Sequence, residues 1–224
     1  MGKLYIVPTP IGNLKDITLR ALDVLREVNY IACEDTRRTR VLLSHYGIKG
    51  KKLIPYYEPK EEKQIPKIVS LLKEENVALV SDAGTPGISD PGYRLVRRCI
   101  EEGIEIESLP GASSVTTALA GSGLPTDRFT FVGFPPKKGT RGFFEELKGC
   151  PDTTFVVFES PYRVIRTLNV IREVFGEVYM CIARELSKLH EEYIRGNVSQ
   201  VIEELQGRER IRGEVVMLFT TKKI

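Results

Sequence analysis

Three loops rich in glycine, proline and small polar residues each follow a short apolar run that predicts a β-strand. They are residues 8–13 (PTPIGN), residues 82–92 (DAGTPGISDPG) and residues 110–114 (PGASS). Small residues let a ligand approach the backbone closely, and prolines hold a loop in one shape before a ligand binds. Turn formation alone would explain one such loop. Three of them in one half of the chain, each following a predicted strand, indicate a ligand-binding site.

Polar side chains in these loops offer hydrogen bonds to a ligand. Asp82 places a carboxylate at the end of a predicted strand, where it suits a cationic group or a hydroxyl group. Ser113 and Ser114 come at the start of a predicted helix, so they either bind a ligand or cap the helix.

The densest polar segment is residues 33–40 (CEDTRRTR), which follows a predicted strand and opens a predicted helix. Glu34 and Asp35 have a simple explanation there, because carboxylates stabilise the amino end of a helix dipole. The arginines, among them Arg37 and Arg38, gain nothing from that dipole. They either contact phosphate groups or form a solvated face with local ion pairs, and the sequence leaves both interpretations open.

Several common functional classes lack support in the sequence. No G-x-G-x-x-G motif follows a predicted strand, and residues 87–94 have Walker A spacing but end in Tyr93-Arg94 instead of Lys-Ser/Thr. The four cysteines form no C-x-x-C pair and the chain has two histidines, so neither a metal site nor a Ser-His-Asp triad is predicted. Lys and Arg total 33 against 30 Asp and Glu, which is not the basic excess typical of nucleic-acid binders.

Short β-branched runs alternate with amphipathic stretches along the whole chain, which predicts an α/β protein with largely parallel sheets. The segment of residues 121–127 contains glycine and proline and predicts a linker. We therefore expect an N-terminal α/β lobe of residues 1–120 and a C-terminal α/β lobe of residues 128–224, with a ligand site in the cleft between them. No apolar run approaches the ~18 residues of a membrane span, so a soluble cytoplasmic protein is expected.

Motifs along the entire chain resemble those of the small-subunit ribosomal RNA methyltransferase I family, a branch of the tetrapyrrole methylase superfamily. The matching segments are residues 8–14 (PTPIGNL), 34–37 (EDTR), 81–87 (SDAGTPG), 110–114 (PGASS), 123–136 (GLPTDRFTFVGFPP), 159–163 (ESPYR) and 184–188 (RELSK). The set is specific, although no single segment would be.

The resemblance implies a class III methyltransferase with two α/β lobes, S-adenosylmethionine in the interlobe cleft, and a homodimer. It implies methylation of the ribose 2′-oxygen of a cytidine near the P site of 16S rRNA, with the assembled 30S subunit as the expected substrate. By motif register, it also implies that the cofactor is bound by Pro10, Ala83, Gly84, Thr85, Ile88, Ser113, Ser114, Glu159 and Leu186.

Methyl transfer to a hydroxyl group gains from a general base that takes the proton. The three loops contain no histidine, so we expect a carboxylate, Asp35 or Asp82, with Glu34 behind them; a lysine such as Lys188, or water, is the alternative proton acceptor. The side chains expected to contact RNA are Arg37, Arg38, Arg184 and Lys188.

Two other interpretations stay open at this point. The chain would be a methyltransferase of the same superfamily that acts on a tetrapyrrole or on a protein side chain, or a non-catalytic RNA-binding module. Porphyrinoid methylases have a glycine-rich first loop, whereas residues 8–11 here are PTPI, which argues against a flat macrocycle.

Overall fold

The computed structural model describes residues 2–223 and divides the chain into two units, Met1–Ser113 and Ser114–Ile224. This division differs from the predicted boundary at residue 120, because the helix that begins at Ser114 packs with the second unit. The predicted linker, residues 121–127, therefore lies inside the second unit rather than between the two.

The first unit is built on a sheet of five parallel strands in the order β3-β2-β4-β1-β5. The strands are β1 (Lys3–Ile6), β2 (Tyr30–Cys33), β3 (Lys52–Pro55), β4 (Val77–Val80) and β5 (Glu105–Ser108). Every residue of β4 is buried, as expected for a central strand covered on both faces. Because all five strands run in the same direction, their carboxyl ends lie along one edge of the sheet.

Four α-helices cover the two faces of this sheet. They are α1 (Leu19–Glu27), α2 (Thr36–His45), α3 (Glu61–Leu72) and α4 (Tyr93–Glu101). Leu79 of β4 packs in one apolar cluster with Leu72 of α3 and Leu95 of α4. Its neighbour Val80 points to the opposite face and packs in a second cluster with residues of α1 and α2, including Leu43. Side chains that alternate between the two faces of β4 thus join helices on both sides of the sheet, and the parallel sheet predicted for this lobe is confirmed.

The second unit contains another five-stranded sheet, in the order β6-β7-β10-β8-β9. The strands are β6 (Phe129–Gly133), β7 (Thr154–Glu159), β8 (Tyr179–Arg184), β9 (Glu192–Asn197) and β10 (Val215–Thr220). Only the β6–β7 pairing among these described strands is parallel. The α/β class is confirmed, but the expectation of a mostly parallel sheet was wrong for this unit. The short connection from β8 to β9 contains no crossover helix, and therefore the chain reverses direction there.

Helices again cover the second sheet: α5 (Ser114–Ser122), α6 (Thr140–Leu147), α7 (Val164–Phe175) and α8 (Val198–Gln206). An apolar cluster joins α6, α7 and α8 to the sheet through residues such as Phe144, Leu168 and Val201. Helix α5 contacts β8, β9 and β10. Gly121 makes this contact possible, since a Cβ atom there would lie 2.5 Å from the ring of Tyr193. Within residues 2–223, no helix has the length and apolar character needed to cross a membrane.

A buried carboxylate fixes the turn between β7 and α7. The side chain of Glu159 is fully buried and forms an ion pair with Arg163 at 2.6 Å. It also accepts hydrogen bonds from the Thr167 hydroxyl group at 2.6 Å and from the Ser160 backbone N–H at 2.7 Å. Both carboxylate oxygens are thus engaged within the second unit.

The Glu159→Ala substitution should lower the free energy of unfolding by about 3–5 kcal/mol, because it leaves the mostly buried Arg163 guanidinium without its counter-ion. Urea denaturation at neutral pH measures this change. The matched control is Glu145→Ala, which removes a half-exposed partner of Arg141 and should cost less than about 1 kcal/mol. Equal effects of the two substitutions would contradict a structural role for the buried pair.

Candidate active site

Four polar segments of the first unit lie at the carboxyl edge of the parallel sheet. Residues 8–13 follow β1, Glu34 and Asp35 follow β2, residues 82–92 follow β4, and residues 110–113 follow β5. The edge of an open parallel sheet is where α/β proteins bind ligands. The parallel topology therefore brings together segments that are far apart in the sequence.

Backbone hydrogen bonds join the loop after β1 to the loop after β4. The Thr9 N–H group donates to the Gly84 carbonyl, and the Gly84 N–H group donates to the Thr9 carbonyl, both at 2.9 Å. The Thr9 hydroxyl group also donates to the Ser81 carbonyl at 3.0 Å, and the Ser81 hydroxyl group donates to the Gly84 carbonyl at 3.1 Å. Gly84 has φ of +85°, a conformation that favours glycine.

The loop after β5 is attached to the other two. The Thr85 hydroxyl group donates a hydrogen bond to the Ala112 carbonyl at 3.2 Å. Gly111 packs so closely on Pro8 that a Cβ atom at this glycine would lie 2.6 Å from the proline Cβ. The small residues are therefore required by the packing of the loops on one another, and not only by the turns that they form.

The segment after β2 carries a fixed ion pair. The Asp35 carboxylate caps α2 by accepting a hydrogen bond from the Arg37 N–H group at 2.8 Å. It also pairs with the Arg37 guanidinium at 2.7 Å. The side-chain hydrogen bonds from Arg37 hold the pKa of Asp35 well below its usual range. A carboxylate with such a low pKa is a weak base.

Asp82 connects this segment to the loop after β4. Its carboxylate accepts a hydrogen bond from the Asp35 N–H group at 3.0 Å and lies 3.5 Å from the Arg38 guanidinium. The carboxylate at the end of β4 thus positions the start of α2, which carries two exposed arginines.

The surroundings of Glu34 and Asp90 raise the pKa of both carboxyl groups. Burial raises the pKa of Glu34, and the negative charge of Asp82 adds to this effect. Burial and the charge of Glu34 raise the pKa of Asp90 to about 6. Asp90 was missed as a candidate. Its only sequence signal is an acidic residue inside a glycine- and proline-rich loop.

A cavity of about 430 Å³ opens beside this cluster. It is lined by Glu34, Asp35, Thr36, Arg37, Pro55, Tyr57 and Asp82. It therefore combines carboxylates, an arginine and an aromatic ring at the carboxyl ends of β2, β3 and β4. In the part of the chain that the structure describes, no group of three His, Cys, Asp or Glu side chains is arranged to hold a metal ion.

The predicted site residues are divided between the two units. Those in the joined loops of the first unit are Pro10, Ala83, Gly84, Thr85, Ile88 and Ser113, and those at the start of α2 or the end of β4 are Glu34, Asp35, Arg37, Arg38 and Asp82. Ile88 is 47% exposed, whereas Gly84 is buried and shapes the loop.

The remaining predicted residues belong to the second unit, where Ser114 is the first residue of α5. Glu159 lies at the end of β7, and Leu186 is buried just after β8. Arg184 pairs with Glu192 at 3.1 Å, and Lys188 pairs with Glu185 and Glu214. The charged side chains expected to contact RNA in this unit are thus already engaged with carboxylates.

Comparison with known proteins places these features in a family context. Residues 3–202 match the family model described as Tetrapyrrole (Corrin/Porphyrin) Methylases. The chain is 54% identical over 219 residues to a Hydrogenobaculum sp. protein named ribosomal RNA small subunit methyltransferase I, covering 97% of this chain and 95% of that protein. A protein of the same name from Thermotoga maritima is 49% identical over 225 residues and all of both chains.

A solved structure has the same fold. The crystal structure of uroporphyrin-III-C-methyltransferase from Thermus thermophilus is similar with a TM-score of 0.66, covering 99% of this chain and 95% of that chain. The two sequences are 21% identical, so the likeness concerns the fold alone.

The Asp90→Asn substitution should raise stability at pH 8 and have little effect near pH 4. The pKa of Asp90 is about 6 in the folded chain and 3.8 as the ordinary value. Because the folded chain binds this proton more tightly than the unfolded chain, the protonated carboxyl group of Asp90 contributes its full stability below about pH 4. That contribution is lost as the pH rises through 6. Asparagine imitates that protonated form, and we expect it to add about 1–2 kcal/mol at pH 8.

Urea denaturation at pH 4, 6 and 8 measures the difference. The control is Asp152→Asn, at an exposed position of the second unit with φ of +53° that asparagine tolerates well. We expect no change in stability from that control at any of these pH values. A pH-independent effect of Asp90→Asn would contradict the elevated pKa.

Proposed function

The chain belongs to the tetrapyrrole methylase family, within the group of ribosomal RNA small subunit methyltransferase I proteins, and we propose that it methylates the ribose 2′-hydroxyl group of a cytidine near the P site of 16S rRNA. The proposed methyl donor is S-adenosylmethionine, and the proposed substrate is the assembled 30S subunit. The proposal rests on the sequence identity of 54% and 49% to two proteins of that name over nearly the full length of the chain. A homodimer in the cytoplasm is the proposed working form.

The joined loops of the first unit have the chemistry needed to hold this donor. S-adenosylmethionine, when bound, supplies an electrophilic methyl group on a positively charged sulfonium. Ala83 and Thr85 are partly exposed at the carboxyl edge of the sheet, on either side of the buried Gly84, and such small residues let a nucleoside approach the backbone closely. The carboxylates of Glu34, Asp82 and Asp90 at the same edge provide negative charge for the sulfonium and ammonium groups.

The arginines at the start of α2 are suited to position the RNA. The side chains of Arg37 and Arg38 are 85% and 65% exposed, although each is close to a carboxylate. A guanidinium has five N–H donors, so it can hold a carboxylate on one side and a phosphate group on the other. We therefore assign Arg37 and Arg38 to phosphate contacts that orient the ribose, while Asp35 and Asp82 hold the arginines in place.

Glu34 is the carboxylate best suited to accept the proton from the ribose 2′-hydroxyl group. Its raised pKa makes it a stronger base than Asp35, whose pKa is lowered by Arg37. It lines the same cavity as Asp82 and Arg37. Holding the hydroxyl oxygen in line with the methyl group supplies much of the remaining rate enhancement.

Two alternatives have separate signatures. Methylation of a tetrapyrrole or a protein side chain would leave rRNA unlabelled while S-adenosylmethionine still binds. An RNA-binding module without catalysis would bind rRNA and transfer no methyl group to any substrate.

The proposal predicts labelled methyl transfer from S-adenosylmethionine to small ribosomal subunits that lack this modification. Nucleoside mass spectrometry of the rRNA should yield a single product, 2′-O-methylcytidine. Subunits that already carry the modification are the control and should accept no label. A methyl group on the base, on another nucleoside, or on protein would overturn the proposed specificity.

The Glu34→Gln substitution should lower kcat about 100-fold or more, because glutamine keeps the shape of the side chain but accepts no proton. The affinity for S-adenosylmethionine, measured by calorimetry, should change far less. The kcat of the wild type should rise as the pH increases through the raised pKa of Glu34, because the carboxylate must be ionised to accept a proton. The kcat of the variant should not show this rise.

The control for this experiment is Glu74→Gln, at an exposed position after α3, which should keep the wild-type kcat and pH profile. A Glu34→Gln enzyme with normal kcat would show that Glu34 is not the base. The same measurements on Asp82→Asn and Asp35→Asn would then identify which carboxylate, if any, is required.

A further inference from the structure

An exposed tyrosine and two arginines form a small cavity in the second unit. Tyr162 follows β7 and is 79% exposed, although it is a large aromatic residue. The Arg210 guanidinium donates a hydrogen bond to the Tyr162 hydroxyl group at 3.0 Å and lies 5.7 Å from the ring centre. The cavity measures about 270 Å³ and is lined by Pro161, Tyr162, Arg210, Ile211, Arg212 and Gly213.

The charged side chains that line this cavity are both positive, Arg210 and Arg212. No acidic side chain lines it. Among residues 2–223, neither Arg210 nor Arg212 forms an ion pair with a carboxylate, whereas the nearby Lys188 pairs with both Glu185 and Glu214. Lys188 thus neutralises Glu214, which follows the segment, and Glu209, which precedes Arg210, does not line the cavity. The two arginines are thus available for an anionic ligand.

A second exposed tyrosine, Tyr93, lines a cavity in the first unit and serves as a comparison. Tyr93 at the start of α4 is 74% exposed and also lines a cavity with arginines, of about 400 Å³. Two glutamates line that cavity as well. Its arginines are paired, Arg94 with Glu61 and Glu62, and Arg97 with Glu101. The absence of lining carboxylates therefore distinguishes the Tyr162 cavity from the Tyr93 cavity.

The backbone beside the arginines is held in one conformation. The Glu185 N–H group donates to the Glu214 carbonyl at 3.0 Å, and the Glu214 N–H group donates to the Glu185 carboxylate at 2.9 Å. Gly213 has φ of +87°, and a Cβ atom there would lie 2.3 Å from the Glu185 side chain. The Arg184 guanidinium donates to the Arg212 carbonyl at 3.0 Å. A segment fixed in this way loses little conformational entropy when a ligand binds.

We propose that Tyr162, Arg210 and Arg212 bind one unpaired nucleotide of the rRNA substrate, with its base stacked on the tyrosine ring and its phosphate held by the guanidinium groups. Single-stranded RNA is recognised by stacking of splayed bases on aromatic rings together with arginine contacts to the backbone. The inference rests on the proposed function, because it specifies a binding subsite for the same substrate. It assigns RNA recognition to a part of the second unit other than the paired residues Arg184 and Lys188.

The Tyr162→Ala substitution should raise the KM for unmodified small subunits about 10-fold or more, because stacking of a base on the ring is lost. The Tyr162→Phe variant keeps the ring and should stay within about threefold of wild type. The affinity for S-adenosylmethionine should be unchanged in both. Tyr93→Ala is the matched control, since it removes a ring of similar exposure beside paired arginines, and its KM should equal that of wild type.

A double Arg210→Ala and Arg212→Ala variant tests the phosphate contacts. Each lost contact to single-stranded RNA should reduce the slope of log affinity against log salt concentration by about 0.7. The binding of a short single-stranded oligoribonucleotide, followed by fluorescence anisotropy, measures this slope without methyl transfer. The Tyr162→Ala variant should also bind this oligoribonucleotide more weakly than wild type.

The outcomes separate this inference from the proposed function. A wild-type enzyme that methylates rRNA, together with a normal KM for Tyr162→Ala, overturns the subsite alone. Weaker binding of S-adenosylmethionine by Tyr162→Ala also overturns it, since the ring would then serve the donor. If wild type transfers no methyl group to rRNA, the proposed function fails. The anisotropy comparison still decides the subsite, and equal binding by wild type and Tyr162→Ala rejects it.

Discussion

Two backbone hydrogen bonds between Thr9 and Gly84 hold the loop after β1 against the loop after β4. This contact depends on the parallel pairing of β1 with β4, which ends both strands at the same edge of the sheet. The loop after β5 then packs on the same edge, where Gly111 contacts Pro8. A side chain larger than hydrogen at Gly111 would push the loops apart, so backbone packing limits which residues are acceptable here.

The carboxylates at this edge differ because their surroundings differ. Asp35 is paired with Arg37, so its pKa is low and its charge is used to hold the arginine. Glu34 and Asp90 are partly buried near other negative charges, and their pKa values are raised. One acidic cluster therefore provides both fixed negative charge and a group able to take up a proton. Such a division is common where acid and base roles must coexist at neutral pH.

In the second unit, ion pairs decide which basic residues are available. Lys188 neutralises Glu185 and Glu214, and Arg184 pairs with Glu192, whose pKa is lowered to about 2, mainly by the hydrogen bonds from Arg208. These residues stabilise the turns beside β8 and β10. The balanced net charge of the chain thus conceals a cavity at Tyr162 that is lined by two arginines and by no acidic side chain. Charge totals describe a whole molecule, whereas recognition depends on which charges remain unpaired at one place.

The sequence by itself determined the α/β class and placed three glycine- and proline-rich loops after predicted strands, because these features follow from local patterns of apolar, glycine and proline residues. The tertiary structure decided which side chains are partners. It placed α5 in the second unit, where Gly121 allows contact with Tyr193. It also made the pairings of β10 with β7 and β8, and of β8 with β9, antiparallel. It also revealed Asp90, whose pKa depends on burial and on Glu34, far away in the sequence. Burial and distances between groups remote in sequence arise only when the chain packs, and for that reason no local pattern predicts them.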